Sequence, residues 1–485
     1  MSLSIMRHRL QFAAFALFAH AVQAHAAADG AMTLPLDRYL QEVRLGHAAV
    51  LASIEAKEGA ALRAREGSLP LTPMFLGSAQ LMSDAKPTIS PSVMGSKTVY
   101  NTYTVGLSQQ TRFGFAGKIT YNLMYTDIVG VNPVFVPTSK FHDAKPMIEL
   151  TQSLWKNAFG REARAQEGLI EASALALNHA ESYKARVKRS EAEIAYWRVF
   201  FARQAVTVQK EALGRGVKLR DWNERRVRSQ LGDKADLLQS EAALEVRKLE
   251  LQGAQDELAA ASRAFNSLRG LDAETVEEEL DAPEAEQVEA LSAVLKGEKP
   301  REDTEAAAEQ LRAADLSASL GAERARPTFD LFGGYAYNGR DTASSGALTD
   351  ALKADKPTWV AGLRFSTSLD FGMASDVRAG YARERNAADL NLQRRFFDDQ
   401  REWKDLSARF GDAKRRFKLT RGIEQIQKEK LAHEKERLSR GRTTTYQLLL
   451  FEQDFAQAQL SRIRAQAEVL QLAAQMKLYA EGGRP

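Results

Sequence analysis

Apolar residues recur along this chain with two different spacings, which alternate from segment to segment. In the longest segments an apolar residue stands at every seventh position, and such a sustained repeat predicts long helices packed as coiled coils. Residues 157–230 contain no proline, and a single helix of that length would extend roughly 110 Å. The series are Val187, Ile194, Phe201 and Val208; Leu237, Leu244, Leu251, Leu258 and Phe265; Phe396, Trp403, Phe410, Phe417, Leu431 and Leu438, with Glu424 as a lapse; and Leu449, Ala456, Ile463 and Leu470.

Between the helical segments, apolar residues alternate with small or polar ones, which predicts β-strands. The alternating segments are residues 99–107, 119–125, 148–154, 329–337 and 359–369, with Phe332 out of step. An apolar, aromatic face opposite a polar one is typical of membrane β-barrel strands, with lipid outside and water inside. A soluble β-sandwich alternates similarly, but five such strands beside such long helices favour the barrel.

The number of strands in the first half stays open. Because the chain must return to the side on which its helices lie, that half needs an even number of strands. Either residues 72–82 form a fourth strand, which gives six strands per subunit, or part of 70–110 lies outside the sheet, which leaves four.

The order of helix, strands, long helix, break and long helix occurs twice, which indicates an internal duplication. We therefore expect an α+β membrane protein with long antiparallel coiled-coil hairpins and transmembrane strands. The predicted segments are a signal peptide (1–26), N-terminal helices (27–70), first-half strands (71–155), the first hairpin (156–270), an acidic connector (271–300), a leading helix (301–326), second-half strands (327–371) and the second hairpin (372–482).

The N-terminus resembles a secretory signal peptide. Arg7 and Arg9 precede a short apolar core at residues 10–19, and Ala24-His25-Ala26 is a small-x-small cleavage site. A core of this length is too short to cross a bilayer. The chain has no cysteine, which rules out both an N-terminal lipid anchor on cysteine and disulfide bonds.

No catalytic or cofactor-binding pattern stands out in the sequence. The net charge is only +4, without a dense basic stripe, so a nucleic-acid partner is not expected. His47, His142, His179 and His433 are isolated from one another. Gly117-Lys118 lacks the upstream glycine of a phosphate loop. We expect no enzyme activity, no cofactor and no metal site.

Four stretches of the chain resemble the TolC family of outer-membrane efflux and secretion channels. The stretches "ELTQSLW" (149–155) and "RFSTSLDFG" (364–372) are similar to the strand-to-helix transition that occurs once in each half of that family. The stretches "RSQLGDKADLLQSEAAL" (228–244) and "RLSRGRTTTYQLLLFEQDF" (437–455) are similar to its two hairpin tips. In both tips an arginine stands four residues before a glycine.

The resemblance implies a homotrimer in the outer membrane of a Gram-negative bacterium, with most of the chain in the periplasm. Each subunit would add strands to one shared β-barrel and helices to a periplasmic α-barrel. Such a channel passively conducts substrates for a tripartite efflux pump or a type I secretion system, and it works with a periplasmic adaptor and an inner-membrane transporter. The alternative is a periplasmic coiled-coil adaptor or envelope scaffold protein. The exported substrate and the particular pump stay open.

The resemblance also implies roles for residues at the two tips. Gly232 and Gly441 would end the descending helices in a left-handed conformation, with polar residues facing the adaptor. The expected docking residues are Arg228, Gly232, Asp236, Arg437, Gly441, Arg442 and Thr443. In the family, aspartates six and nine residues after the second tip glycine ring the gate, but here those positions hold Gln447 and Leu450. An acidic gate that uses Glu452 and Asp454 and an apolar seal both stay open.

Overall fold

The computed structural model describes residues 33–293, 296, 297 and 299–480. The predicted signal peptide, residues 1–26, lies outside the described residues. The described residues divide into two compact units, one built from those within 33–52, 185–297 and 403–480 and the other from those within 53–184 and 299–402. The first unit is helical apart from one short strand pair, and the second contains the sheet.

The sheet is antiparallel and lies wholly in the second unit. Its strands are β2 (Met74–Asp84), β3 (Lys97–Gln110), β4 (Phe115–Val129), β5 (Lys140–Ser153), β7 (Thr328–Tyr337), β8 (Gly339–Asp341) and β9 (Pro357–Ser366). The order across the sheet is β2-β3-β4-β5-β7-β9, and β8 also pairs with β5. Strands β7 and β8 keep one register on β5, because Ala336 faces Met147 and Gly339 faces Ala144. They form one strand interrupted at Asn338.

The described residues form six long strands, the larger of the two counts that the sequence left open. Residues 72–82 fall largely within β2, whose pairing with β3 runs over its full length. The cross-strand pairs Tyr335–Trp359, Leu331–Leu363 and Phe329–Phe365 place apolar side chains on one face. Trp359 is 73% exposed, Leu363 63% and Phe365 59%. Within one chain the apolar face of β7 and β9 is therefore largely bare.

The helices confirm the two long hairpins. In chain order they are α1 (Leu36–Gly46), α2 (Ala48–Arg63), α3 (Pro91–Met94), α4 (Arg161–Arg228), α5 (Lys234–Leu268), α6 (Ala285–Ala290), α7 (Glu302–Arg324), α8 (Ser344–Leu352), α9 (Phe371–Ser439) and α10 (Thr445–Met476). Helices α4 and α5 form the first hairpin, and α9 and α10 form the second. In the described part of the chain, no helix is both long and apolar enough to cross a membrane.

The seven-residue series form the core of the first unit. Phe201, Phe265, Phe410 and Phe417 belong to one buried cluster together with Ile463 and other apolar residues of the series. The lapse at Glu424 is explained by a partner, because its carboxylate lies 2.6 Å from the guanidinium of Arg462. Phe396 departs from the pattern because it lies in the second unit, where it is exposed within a single chain.

The acidic connector is attached to the first unit by a short parallel pair of strands. Strands β1 (Thr33–Leu34) and β6 (Glu279–Leu280) pair with each other. The Tyr196 hydroxyl lies 2.7 Å from the Leu34 carbonyl oxygen and accepts a bond of 2.8 Å from the Asp281 amide. Burial raises the pKa of the Tyr196 hydroxyl to about 12, so it stays neutral and can donate at any ordinary pH.

Replacing Tyr196 with Phe is expected to lower the free energy of unfolding by about 1–3 kcal/mol, because the Leu34 and Asp281 backbone groups lose a buried partner. The measurement is urea unfolding of the purified protein in detergent, followed by the helical circular dichroism signal at one fixed protein concentration. Tyr446→Phe is the matched control, since Tyr446 is 59% exposed. An equal midpoint for the two variants would contradict the assignment.

Candidate docking and gating site at the hairpin turns

Both hairpin turns use the same backbone geometry. In the first turn the Leu231 amide donates to the Arg226 carbonyl at 2.8 Å, and in the second the Arg442 amide donates to the Arg437 carbonyl at 2.9 Å. A bond over five residues at the end of a helix is typical of a Schellman motif. Each arginine also donates from its side chain to the carbonyl of the residue five positions later, at 3.0 Å and 3.2 Å.

This geometry corrects the predicted match between the two tips. The left-handed residue of the second turn is Gly441, with φ +66°, as expected, but in the first turn it is Gln230, with φ +58°. Gly232 has no positive φ; a Cβ there would lie 2.9 Å from the Arg226 Cβ. Arg226, not Arg228, is the equivalent of Arg437, and Arg228 pairs with Glu224 on its own helix. The sequence suggested the wrong match because Arg228 and Gly232 have the same spacing as Arg437 and Gly441. In the structure, the equivalents of Arg437 and Gly441 lie two residues earlier, at Arg226 and Gln230.

The second helix of each hairpin begins at a side-chain cap. Asp233 accepts a bond of 2.9 Å from the Ala235 amide, and Thr444 accepts one of 3.2 Å from the Gln447 amide. Asp and Thr are both favoured at this position because their side chains satisfy amides at the start of a helix. The caps fix the correct alignment, in which Asp236 is equivalent to Gln447 and Glu241 to Glu452.

The second turn contains a buried carboxylate that the sequence analysis missed. Glu434 is 1% exposed; its Oε2 lies 3.1 Å from Nη1 of Arg437, and its Oε1 accepts a bond from the Thr443 hydroxyl. A buried charge needs such partners to offset its lost hydration. Arg437 and Thr443, both predicted as docking residues, therefore also hold the turn together, while Arg442 and Gly441 are exposed.

The two hairpins contact each other next to their turns. Asn223 of α4 donates at 3.3 Å to the Asp236 carbonyl of α5, and its side-chain oxygen accepts a bond of 3.2 Å from the Thr445 hydroxyl of α10. The buried apolar cluster beside this contact consists of Leu219, Leu431, Leu438, Leu448 and Phe455. Because the cluster draws on α4, α9 and α10, separation of the hairpins would expose it.

Glu452 joins the same three helices through two ion pairs. The Glu452 Oε2 lies 2.6 Å from Nε of Arg215 on α4, and its Oε1 lies 2.8 Å from Nζ of Lys435 on α9. Glu452 is 8% exposed, and the Arg215 guanidinium also lies over the ring of Phe455. The carboxylate thus bridges two cations at a largely buried contact between the hairpins, and Arg215 has a second, longer ion pair of 3.7 Å with Glu211.

The remaining residues predicted for the gate lie on or close to the first turns of α10. Gln447 is half-buried and Leu450 is exposed. Asp454 lies 3.4 Å from the Lys430 ammonium. In the described part of the chain, no three His, Asp or Glu side chains are placed to hold a metal ion.

Solved structures similar to this chain include two outer-membrane channels and a further outer-membrane protein. The outer-membrane channel OprN aligns over 92% of this chain and 90% of its own, with a TM-score of 0.65 and 15% identity. The CmeC outer-membrane channel of Campylobacter jejuni covers 93% and 87%, with a TM-score of 0.65 and 15% identity. The outer-membrane protein VceC of Vibrio cholerae covers 93% and 97%, with a TM-score of 0.64 and 14% identity.

The chain has the fold of the outer-membrane channels. The alignments extend over nearly all of the described residues, so they include the sheet and both hairpins. They confirm the fold that the resemblance to the TolC family implies. Neither a protein-family model nor a curated protein matches the chain.

The role of Glu434 and the partners of Glu452 could be found only from the structure. The sequence offered Glu452 as a candidate from its position after Gly441, but the partners of its carboxylate lie 17 and 237 residues away along the chain. Glu434 carried no signal of its own, because a glutamate three residues before an arginine is common on exposed helix surfaces.

Replacing Glu452 with Gln is expected to destabilise the contact between the hairpins by about 2–3 kcal/mol, since Lys435 loses this carboxylate and Arg215 keeps only its 3.7 Å pair with Glu211, while Lys435 can partly reach water. Backbone amides of residues 211–223 and 445–456 should then exchange with deuterium about 30- to 150-fold faster. Glu436→Gln is the control, because Glu436 forms an exposed pair with Arg440. Equal exchange in the two variants would show that Glu452 does not stabilise the contact between the hairpins.

Proposed function

We propose that this protein is the outer-membrane channel of a tripartite efflux pump or a type I secretion system. It would passively conduct substrates from an inner-membrane transporter across the periplasm and the outer membrane. The observation that carries the proposal is the channel fold, in which a sheet with a bare apolar face is joined to two long helical hairpins. A periplasmic adaptor or scaffold also contains long hairpins, but it has no use for a sheet with a bare apolar face.

The proposed assembly is a homotrimer. Among the described strands, β2 and β9 lie at the two edges of the sheet and each pairs on one side. An open edge is not tolerated in lipid, where no water can satisfy the backbone groups. Edge strands of neighbouring copies would satisfy each other, and the exposed Phe396 in the second hairpin suits a helix surface that a neighbouring copy covers.

The proposed docking surface for the adaptor consists of residues of the two turns that are exposed or, like Asp236 and Thr443, half-buried. The corrected alignment changes the residues of this surface. Gln230 replaces Gly232 as the equivalent of Gly441, and Leu231 is added as the equivalent of Arg442. Arg228, Asp236, Arg437, Gly441, Arg442 and Thr443 remain in the proposal. Leu231 is 72% exposed, and a large exposed apolar residue at a turn is suited to contact with a partner.

The proposed gate is the less charged of the two alternatives. Glu452 and Asp454 are each paired with cations of the same chain, which favours a seal formed by residues such as Leu450 over a ring of unpaired acids. The pairs between Glu452, Arg215 and Lys435 would hold the hairpins together in the closed state. The proposed equatorial connector, residues 271–300, would lie away from both ends of the duct.

The location and the assembly are tested together by membrane fractionation and unboiled gel electrophoresis. The expected result is a band in the outer-membrane fraction that migrates as a trimer and shifts to the monomer position after boiling. A soluble periplasmic monomer would overturn the proposal in favour of the adaptor or scaffold reading.

Two substitutions at the second turn test docking. Gly441→Pro cannot keep the left-handed backbone, because proline fixes φ near −65°, and Arg437→Glu sets a second carboxylate beside the buried Glu434. Both are expected to abolish most export, measured as susceptibility to exported compounds in a deletion strain that carries each variant, while the trimer still forms.

Arg440→Glu serves as the matched control for this pair, because Arg440 lies in the same turn and its side chain is 59% exposed. Its effect on export should be small. Full export by both Gly441→Pro and Arg437→Glu would remove the second turn from the docking surface.

A further inference from the structure

A short helix covers part of the apolar face of the sheet. Helix α8 follows β8 in the loop between β7 and β9, and it packs against β5 and β8. Ala347 and Ala351 of α8 are fully buried, together with Ala144 of β5, and partly buried Tyr121 and Leu123 of β4 border this contact. Leu123 faces Ala144 in the strand register, so α8 lies on the face that carries the apolar side chains.

A glycine makes this close packing possible. Gly339 faces Ala144 across the strand pair, and a Cβ on Gly339 would lie 2.1 Å from the Ala347 carbonyl oxygen and 2.2 Å from the Ala351 amide nitrogen. Both distances are far inside van der Waals contact. A side chain at position 339 would therefore push α8 away from the sheet.

The two flanks of α8 differ in polarity. At 100° per residue, Leu348 and Leu352 lie on the flank opposite Asp350. Asp350 accepts a bond of 3.1 Å from the Arg340 amide and pairs at 2.6 Å with the Lys356 ammonium. Lys356 immediately precedes β9, so the polar flank faces the loop end of the strands. The leucines lie on the other flank, where Leu348 is 37% exposed and Leu352 68%.

Aromatic residues mark the same level of the sheet. Tyr335 and Tyr337 stack edge to face with ring centroids 5.2 Å apart, and Trp359 faces Tyr335 across the strands. Tyr335 and Tyr337 lie within four residues of Gly339 along the chain, and Trp359 lies beside Tyr335 on β9. Tyrosine and tryptophan are enriched where acyl chains meet the headgroup region of a bilayer.

We propose that α8 is a membrane-interface helix, which lies on the sheet at the boundary between headgroups and acyl chains and inserts Leu348 and Leu352 into the lipid. The inference rests on the proposed function, in which the apolar face of the sheet contacts lipid. The partner is the bilayer leaflet at the loop end of the strands. The two exposed leucines continue an apolar face that is already bare. Moving them from water into lipid is favourable in proportion to the apolar area that the lipid covers.

The absence of cysteine from the sequence allows a direct test. Single variants Leu352→Cys, Leu363→Cys and Asp355→Cys are labelled with the environment-sensitive dye nitrobenzoxadiazole and reconstituted in phosphatidylcholine vesicles that contain nitroxide-labelled lipids. Leu363 reports on the centre of the apolar face, and Asp355 reports on the loop. The expected result is blue-shifted emission at 352, quenched most strongly by a nitroxide near the headgroup, with quenching at 363 from a deeper nitroxide and none at 355.

The outcomes separate the inference from the proposed function. A water-exposed dye at 352 with a quenched dye at 363 would overturn the interface helix alone, whereas water exposure at both positions would overturn the membrane sheet itself. Blue-shifted emission at 352 that lipid nitroxides do not quench would mean that protein, such as a second copy, covers α8, and would also overturn the inference. Adding Gly339→Val to the Leu352→Cys variant should return the dye at 352 to water and leave the dye at 363 unchanged.

Discussion

One face of the sheet is apolar and the other is polar, so the two faces are stabilised by different surroundings. The way in which this chain completes its sheet depends on that difference. Trp359, Leu363 and Phe365 stand on a face that the chain itself covers mainly at α8. An aromatic side chain has roughly 150–250 Å² to bury, and each Å² of apolar surface left in water costs about 25 cal/mol. Covering several such residues would therefore stabilise the assembled sheet by an amount comparable to the stability of an ordinary domain. An apolar phase or another copy that covers this face would supply that stabilisation, and the unpaired edges at β2 and β9 add backbone groups that a neighbouring strand could satisfy.

The hairpin turns solve a different problem, the unsatisfied backbone groups at the ends of four long helices. Each turn satisfies them with the same set of bonds, although the residues differ. A glycine holds the left-handed position in the second turn, and a glutamine holds it in the first at a cost of about 1 kcal/mol. The arginine that closes each turn from its side chain provides part of the compensation. The two turns share a backbone geometry although their residues differ. This fits an internal duplication in which the residues could change as long as the backbone hydrogen bonds of each turn were kept.

The sequence predicts the elements of this fold well because both periodicities extend over many residues. The series through Phe410 and Phe417 predicts its buried cluster, whereas the strand at residues 72–82 was one of two alternatives that the need for an even number of strands left open. The site was harder to predict because its alignment depended on two glycines, and only Gly441 has the expected backbone. Helix caps would have been the better signal, since Asp233 and Thr444 both precede apolar runs. The partners of Glu452 and the position of α8 depend on distant segments, which local patterns do not encode.

The charge at the hairpin contact follows from its burial. A ring of unpaired carboxylates is stable only where water or cations can reach it, because each buried charge without a partner costs several kcal/mol. Glu452 lies instead in a largely buried contact, and two cations from two different helices satisfy its oxygens. This arrangement neutralises the acid and at the same time makes the contact dependent on it, since removal of the carboxylate would leave Lys435 without it and Arg215 with only the 3.7 Å pair to Glu211. The charge of Glu452 is thus shared between α4 and α9, and its two ion pairs hold both helices against α10.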